Sequence, residues 1–449
     1  MESSTYKPIL IIGAGVGGLS IGTLLVKDGF KIRVFEKSSK LGGRTASMEF
    51  RNHILDNGFH IMPFYKKSAI YNVLKSANII SKLKLAIVDK IAFFDGSFHT
   101  YPKGIGDILK MSLIPLKSRF SLLKILLPMA FISMAKAEEL DQTPLTEATK
   151  KLDSHSKTFF DAVCMLAFAD TADHISLGEF ARTIIRANPF KGGTSEFAYP
   201  DMGGYDQISQ VMGNYIQENN SEINIETPIK KILVRNSCVT GVLLSDGKII
   251  ESDCVIVSYP AYHAINQLFD EGVFDDDFIK HTNRLNKTTS VVEVHFALSK
   301  QIDTRQVVFP VGENYTSKGI FFISNITSSV SPEGEHLIIV GTPVKPEETD
   351  NPVRIKEIVS DMKKELSEIY SDFDNALLWE RPMAWKLVES VVKEPGLVWK
   401  NKMPHSVPEV KGLFFVGDST ISYGIGTDSA AHSAILAHPK IVNFLKNTN

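Results

Sequence analysis

Cysteine is nearly absent from this chain: three residues in 449, Cys164, Cys238 and Cys254. An odd number without Cys-x-x-Cys spacing argues against a disulfide framework or a cysteine-built zinc site, and it suits a reducing compartment. Net charge is scarce as well. With 49 Lys+Arg against 51 Asp+Glu, no basic excess is left to neutralise phosphates along a nucleic acid. No apolar signal core precedes the first strand, so the chain reads as cytoplasmic. No metal-ligating cluster, nucleophile triad or paired-carboxylate motif stands out.

Long hydrophobic runs are missing too. The segment 108–137, ILKMSLIPLKSRFSLLKILLPMAFISMAKA, is broken by Lys110, Lys117, Arg119 and Lys124 and by Pro115 and Pro128. Its longest uncharged stretch, Ile125 to Ala135, falls short of the roughly 20 residues that a bilayer span requires. Yet the segment contains no acidic residue. Apolar helices with basic punctuation suit either the core of a substrate domain or a surface resting on anionic lipid, and both readings stay open.

Glycine, by contrast, is plentiful and pointedly placed. PILII, residues 8–12, is a short apolar run closed by Gly13, the pattern of a strand buried on both faces. GAGVGG then fits G-x-G-x-x-G: Gly13 for the tight turn, Gly15 for close approach to a pyrophosphate, Gly18 for packing helix on strand, with Gly17 in the same loop. The spacing predicts a helix from Val16 to Asp28 with Gly29 as its cap. KIRVFEK follows as a second strand, placing Glu36 and Lys37 at its end, where a carboxylate accepts both hydroxyls of an adenosine ribose. Further on, VTGVLL and KIIESD flank Ser245-Asp246-Gly247 as a hairpin.

Four stretches carry a family resemblance: the first glycine loop, SSKLGGRTAS with ILDNGFH, the block from YPDMGGYD through the hairpin to VIVSYP, and LFFVGDS with GIGTDSA. In this order they resemble the flavin amine oxidases, protoporphyrinogen oxidases and carotenoid desaturases. The resemblance implies FAD, held noncovalently because no cysteine precedes Leu413 in the region where monoamine oxidases attach it. It further implies that Gly42, Gly43 and Arg44 approach the phosphates, that Gly58 lies by the cofactor, and that the strand near Ile229 holds the adenine. Gly203, Gly204 and Tyr205 would lie near the isoalloxazine. Gly417 and Asp418 would meet the ribityl chain, and Gly426 with Thr427 would open a helix, Asp428 to Ala437, facing the flavin edge that gains charge on reduction.

The expected fold is α/β: a Rossmann-type FAD-binding domain from 1–100, 200–286 and 405–449, and a mixed-sheet plus helical substrate domain from 101–199 and 287–404, both discontinuous in sequence. Flavin dehydrogenation places a substrate C–H near N5 and requires no catalytic side chain. His60, Tyr205 and Trp385 are the catalytic candidates, with Tyr423 a further residue bordering the pocket. On the strand SVVEVHFAL, where amine oxidases commonly carry a lysine, this chain has Glu293. The expected reaction is hydride removal from, or isomerisation of, an apolar isoprenoid or lipid-like substrate, with oxygen, a quinone or a redox protein accepting the electrons. A flavin amine oxidase or protoporphyrinogen-oxidase-like enzyme, and a non-catalytic prenyl-lipid carrier of the Rab GDP-dissociation-inhibitor kind, are the alternatives.

Overall fold

A computed structural model of the chain describes residues 7–63, 65–187 and 196–448. The opening apolar run forms the strand Ile9–Ile12, every residue buried. It pairs in parallel with Ile32–Phe35 on one side and Val255–Val257 on the other, and Leu413–Phe415 continues beyond the latter. With Glu222–Asn224 at the far edge, this makes a five-stranded parallel sheet drawn from the beginning, middle and end of the chain. Buried on both faces, Ile9–Ile12, Val255–Val257 and Leu413–Phe415 need the continuous Ile, Leu, Val and Phe they contain, whereas Arg33 and the edge strand Glu222–Asn224 reach solvent. The hairpin forms as expected from Cys238–Leu244 and Ile249–Glu251 and extends with Ile229–Arg235 into a three-stranded sheet.

The first helix, Val16–Lys27, is buried along all but its last residue, and Gly29 closes it at φ +90°. Against it packs the C-terminal helix. That helix runs Gly426–Thr448 rather than stopping at Ala437, straight through Pro439. Proline there removes one backbone bond. Burial of Ala437, Ile441 and Leu445 in the main core offsets the loss.

A seven-stranded sheet forms the other half, in the order Leu377–Trp385, Ser290–Leu298, His336–Val344, Gly319–Phe322, Val307–Pro310, Ile91–Phe94 and Phe98–Thr100. Its pairs are antiparallel except Val307–Pro310 with Ile91–Phe94. The last two strands come from the stretch 1–100 and leave the parallel sheet's side to join this one. Alternation assigns the faces. Val292, Val294, Phe296 and Leu298 pack with Ile358, Met362 and Leu366 of the helix Pro352–Ile369. The opposite face presents Phe93, Phe309, Phe321 and Ile339 to the core that also receives Val16, Leu19 and Ala430, with Glu293 and His295 on the same side of their strand.

The acid-free segment folds into Ile105–Lys110, Leu116–Phe131 and Met134–Glu138. Among the described residues no helix is long and apolar enough to cross a membrane. Leu122, Leu123 and Met129 are buried, whereas Leu116 and Phe120 are 56% and 54% exposed.

Candidate active site

The glycines of the first loop divide by what surrounds them. A methyl on Gly18 would lie 2.0 Å from the Gly13 carbonyl oxygen, and one on Gly13 would lie 2.5 Å from that of Ser258. Those two serve packing and the turn. Gly15 is different: a methyl there would meet only the Gly42 oxygen, at 3.9 Å, so its free side borders open space. The next glycine pair joins this border, since Gly42 N–H donates to Ala14 at 2.8 Å and Gly42 pairs with Gly15 as an isolated bridge. Gly42 and Gly43 have φ of +102° and +59°, conformations that favour glycine.

Glu36 is buried where its strand ends, accepting from Ala14 N at 2.8 Å and Ser38 N at 2.9 Å. Backbone bonds from Thr227 to Glu36 and from Glu226 to Ser38 bring Ile229 to the same end of the sheet. Lys37 lies over the Tyr259 ring at 5.5 Å.

The far end of the chain closes on this loop. A methyl on Gly17 would lie 3.1 Å from the Gly417 Cα, whereas one on Gly417 itself would meet nothing within 4 Å. Arg44, expected beside phosphates, grips Asp418 here through two bonds of 2.6 and 2.9 Å and donates to the Val388 carbonyl. Ser390 adds its N–H and hydroxyl to the same carboxylate. Burial by itself would raise the Asp418 pKa, but the Arg44 charge and these bonds more than reverse it, holding the group well below the usual carboxylate range. Thr427, in the first turn of the last helix, meets the Tyr205 hydroxyl at 3.1 Å. Tyr205 is fully buried, and burial raises its pKa well above the ordinary phenol value. Its hydroxyl is thus committed to Thr427.

Between the two sheets lies a second cluster. Gly58, at φ +95°, donates its N–H to Glu293 Oε1 at 3.0 Å, and Trp385 Nε1 donates to the same oxygen at 2.7 Å. The His60 ring lies 5.3 Å from that of Tyr205. His60 Nε2 faces the carbonyls of Asn57 and Arg44 at 3.0 and 3.1 Å. Two acceptors on one nitrogen place the proton there and leave Nδ1 with the lone pair. Burial pushes the His60 pKa down against the pull of Asp56. Asp56 is pushed up by burial and accepts from Ser47, Tyr199 and the Tyr205 N–H. Burial likewise raises Glu293 to about 8, with Trp385 and Gly58 opposing and Asp56 reinforcing.

Beneath the turn that leads into the last helix lies a network of buried charges that pattern reading did not isolate. Lys402 Nζ donates to the Asp418 carbonyl and the Ser422 hydroxyl, both at 2.8 Å. Lys393 pairs with Glu389 at 3.1 Å, and Glu179 accepts from Gly424 N at 2.9 Å while binding Arg182 at 3.0 Å. Burial lowers the Lys402 pKa to about 7, helped by the neighbouring Lys393 charge. Each of these residues reads as a solvated surface charge in sequence, because even where an ion partner lies one turn away, as in Lys393–Glu389 and Arg182–Glu179, the segments that bury the pair come from elsewhere in the chain. The Tyr423 ring lies 3.9 Å from that of His432 and 5.2 Å from that of Trp399, tilted to both.

A parallel sheet with a glycine-lined cradle, closed by the helix that ends the chain and set against the apolar face of a second sheet, defines a dinucleotide-dependent oxidoreductase. The chain belongs to the flavin containing amine oxidoreductase family, whose model matches residues 16–437. It is 23% identical to the 4,4'-diapophytoene desaturase (4,4'-diapolycopene-forming) of Methylomonas sp, over 72% of this chain and 68% of that one. With the chloroplastic prolycopene isomerase of Daucus carota it shares 22% identity over 98% of this chain and 80% of the other. Among solved structures, an oxidoreductase from Methanosarcina mazei has the same fold, with a TM-score of 0.77 at 19% identity over 96% of this chain and 100% of that one. The protein is an oxidoreductase of this flavin-dependent class.

Proposed function

We propose that the chain holds FAD noncovalently and uses it to remove hydride from, or isomerise, an apolar isoprenoid. The adenine end would lie by Glu36 and Ile229, the pyrophosphate by Gly15 and Gly43, and the redox end by Asp418, Gly426 and Thr427. The open space beside Gly15 and Gly417 supports this placement, since both glycines leave room where a side chain would intrude. Under this reading the parallel sheet and its hairpin form the cofactor domain, and the seven-stranded sheet with the helices of 101–199 forms the substrate domain. The bound flavin would supply hydride acceptance; the protein supplies binding, orientation and exclusion of water.

The carrying observation for the substrate is the aromatic inner face of the seven-stranded sheet. Phe59 stacks on Phe321 with ring centroids 3.3 Å apart, and Phe309 and Phe93 continue the surface. Burial raises Glu293, the carboxyl group that could pair with an ammonium, to about 8, which favours its neutral form near neutral pH. This favours a polyene over a cationic amine. Electrons would pass to oxygen, a quinone or a redox protein. Exposed Leu116 and Phe120, beside Lys117 and Lys124 in a stretch without acids, support peripheral contact with an anionic membrane from which such a substrate could be drawn.

The test begins with the absorption spectrum of the purified protein, expected to show oxidised flavin that trichloroacetic acid releases. A colourless protein that takes up no FAD would instead support the carrier reading. Anaerobic addition of phytoene in detergent should bleach the flavin, and putrescine should not. The reverse outcome would make the protein an amine oxidase.

A further inference from the structure

Glu293 holds a position that neither hydride acceptance nor simple packing explains. It is 2% exposed, at the centre of a strand. Along the hydrogen-bonded row its neighbours are Gly341 and then Gly319, and directly opposite residues share a face. On this side the row carries no side chains of its own, and a methyl on Gly341 would meet nothing closer than 3.7 Å, whereas the Phe321 ring closes over Gly319 and Met383 lies opposite Glu293 on the other neighbouring strand. Buried carboxyl groups normally use both oxygens. Here Oε1 accepts two bonds, from Gly58 N and Trp385 Nε1, while Oε2 has no hydrogen-bond partner among the described residues. Oε2 borders the hollow at Gly58, where a methyl would lie 3.9 Å from it and 3.5 Å from His60 Nε2.

From this geometry we propose that Glu293 is the proton-exchanging residue of the site, carrying a proton on Oε2 in the oxidised protein and binding it more tightly when negative charge arrives in the cradle beside Gly58. This rests on the flavoprotein reading given above. The step is a protonation alone. Two electrons from a chemical reductant enter the bound flavin, and a proton from solvent forms the O–H bond on Oε2 wherever that oxygen was ionised. In a dry site two negative charges repel strongly, so reduction raises the affinity of Glu293 for its proton, and by reciprocity ionised Glu293 opposes reduction.

The groups facing it do not mimic this behaviour. Asp56 is also pushed up by burial, but both its oxygens accept bonds, from Ser47, Tyr199 and Tyr205, and its titration persists in a variant that lacks only Glu293; His60 donates to two carbonyls. His295, two residues along the same strand, is kept neutral by burial and by Arg381, opposite it on the neighbouring strand, with its pKa pushed down to about 3.

The experiment measures the midpoint potential of the FAD-loaded protein against pH, with dithionite as reductant and no substrate. For the wild type the slope should steepen above about pH 8 by one proton per two electrons. Glu293→Gln retains an oxygen to accept from Gly58 and Trp385 but cannot ionise, so the steepening should vanish. Trp385→Phe removes a bond that favours the carboxylate, so the steepening should begin at higher pH. An E293Q curve with the wild-type break, or a W385F curve whose break stays in place, would overturn the proposal. Infrared difference spectra of the protein as purified, taken across the same pH step, should show loss of one protonated carboxyl band that is missing from E293Q. Absence of that band in the wild type refutes the role of Glu293 whether or not flavin is bound, whereas failure to take up FAD refutes the flavoprotein reading alone.

Discussion

Gly17 and Gly417, at opposite ends of the chain, approach so closely that a methyl on the first would lie 3.1 Å from the Cα of the second. The contact is made at the head of the first helix and just beyond the strand Leu413–Phe415. It brings a packed backbone junction next to glycines whose free sides face open space. One motif thus holds both tightly packed glycines and glycines that border open space.

Gly15→Val should separate binding from folding. Its side chain would project into the cradle with only the Gly42 oxygen nearby at 3.9 Å, so the protein should fold with a near-normal melting temperature and lose most of its flavin. Gly18→Ala should do the opposite first: its methyl meets backbone at 2.0 Å, an overpacking that costs about 1–3 kcal/mol or more. Flavin content per chain and thermal unfolding measure the two effects. Equal flavin loss at equal stability loss in both variants would contradict the division.

Arg44 and Asp418 should make the protein sensitive to acid. The folded-state pKa of Asp418 lies below its unfolded value, so its contribution is present above the unfolded pKa of about 3.9 and disappears as pH falls toward the folded value. Asp418→Asn should flatten the acid limb of the unfolding curve and destabilise the protein at neutral pH. The loss should fall below the roughly 3–5 kcal/mol expected for breaking a fully buried pair, because the Arg44 side chain is 35% exposed. Circular dichroism against pH reads the difference, and parallel acid limbs for variant and wild type would remove the pair from that role.

For Glu293 the sign is reversed. Its folded pKa is raised to about 8, so ionisation is resisted in the native state and stability declines as pH rises from the unfolded value of about 4.3 through the folded one. The decline is at most on the order of 5 kcal/mol, since each tenfold change in proton affinity is worth about 1.4 kcal/mol. Glu293→Gln should therefore gain stability relative to the wild type on going from mildly acidic to alkaline buffer, as urea unfolding at the two conditions would register. A constant difference between them would count against a proton held there.

The exposed face at Leu116 and Phe120 predicts lipid binding. Wild-type protein should sediment with phosphatidylglycerol vesicles and less with phosphatidylcholine ones, and Leu116→Glu with Phe120→Glu together should release it. Both side chains are more than half exposed, so the double variant should keep its fold. Equal sedimentation of variant and wild type would show that this face does not meet the bilayer.

Legibility followed the range of the interactions. The strand Ile9–Ile12, the loop Gly13 to Gly18, the first helix with its Gly29 cap and the hairpin around Gly247 are written in adjacent residues, and each lies where the pattern placed it. The stop expected near Ala437 was overridden because packing on the first helix outweighs one lost bond at Pro439. Likewise, the strands Ile91–Phe94 and Phe98–Thr100 follow the first strands of the parallel sheet in sequence yet hydrogen-bond into the other sheet, since a strand's partner is selected by burial of its face and not by its neighbours along the chain.

By itself the order of residues determined the glycine-lined cradle, because steric demands on glycine and the two- and 3.6-residue periods act locally. Only the tertiary structure decided what surrounds that cradle: that Arg44 meets Asp418, that Lys402, Lys393 and Glu389 are buried with partners, and that Glu293 faces Gly58 across the boundary between two sheets. The reason is physical. The charge state of a carboxyl group or an ammonium depends on the solvent it has lost and the dipoles it has gained, and both are properties of the folded assembly rather than of any stretch of chain.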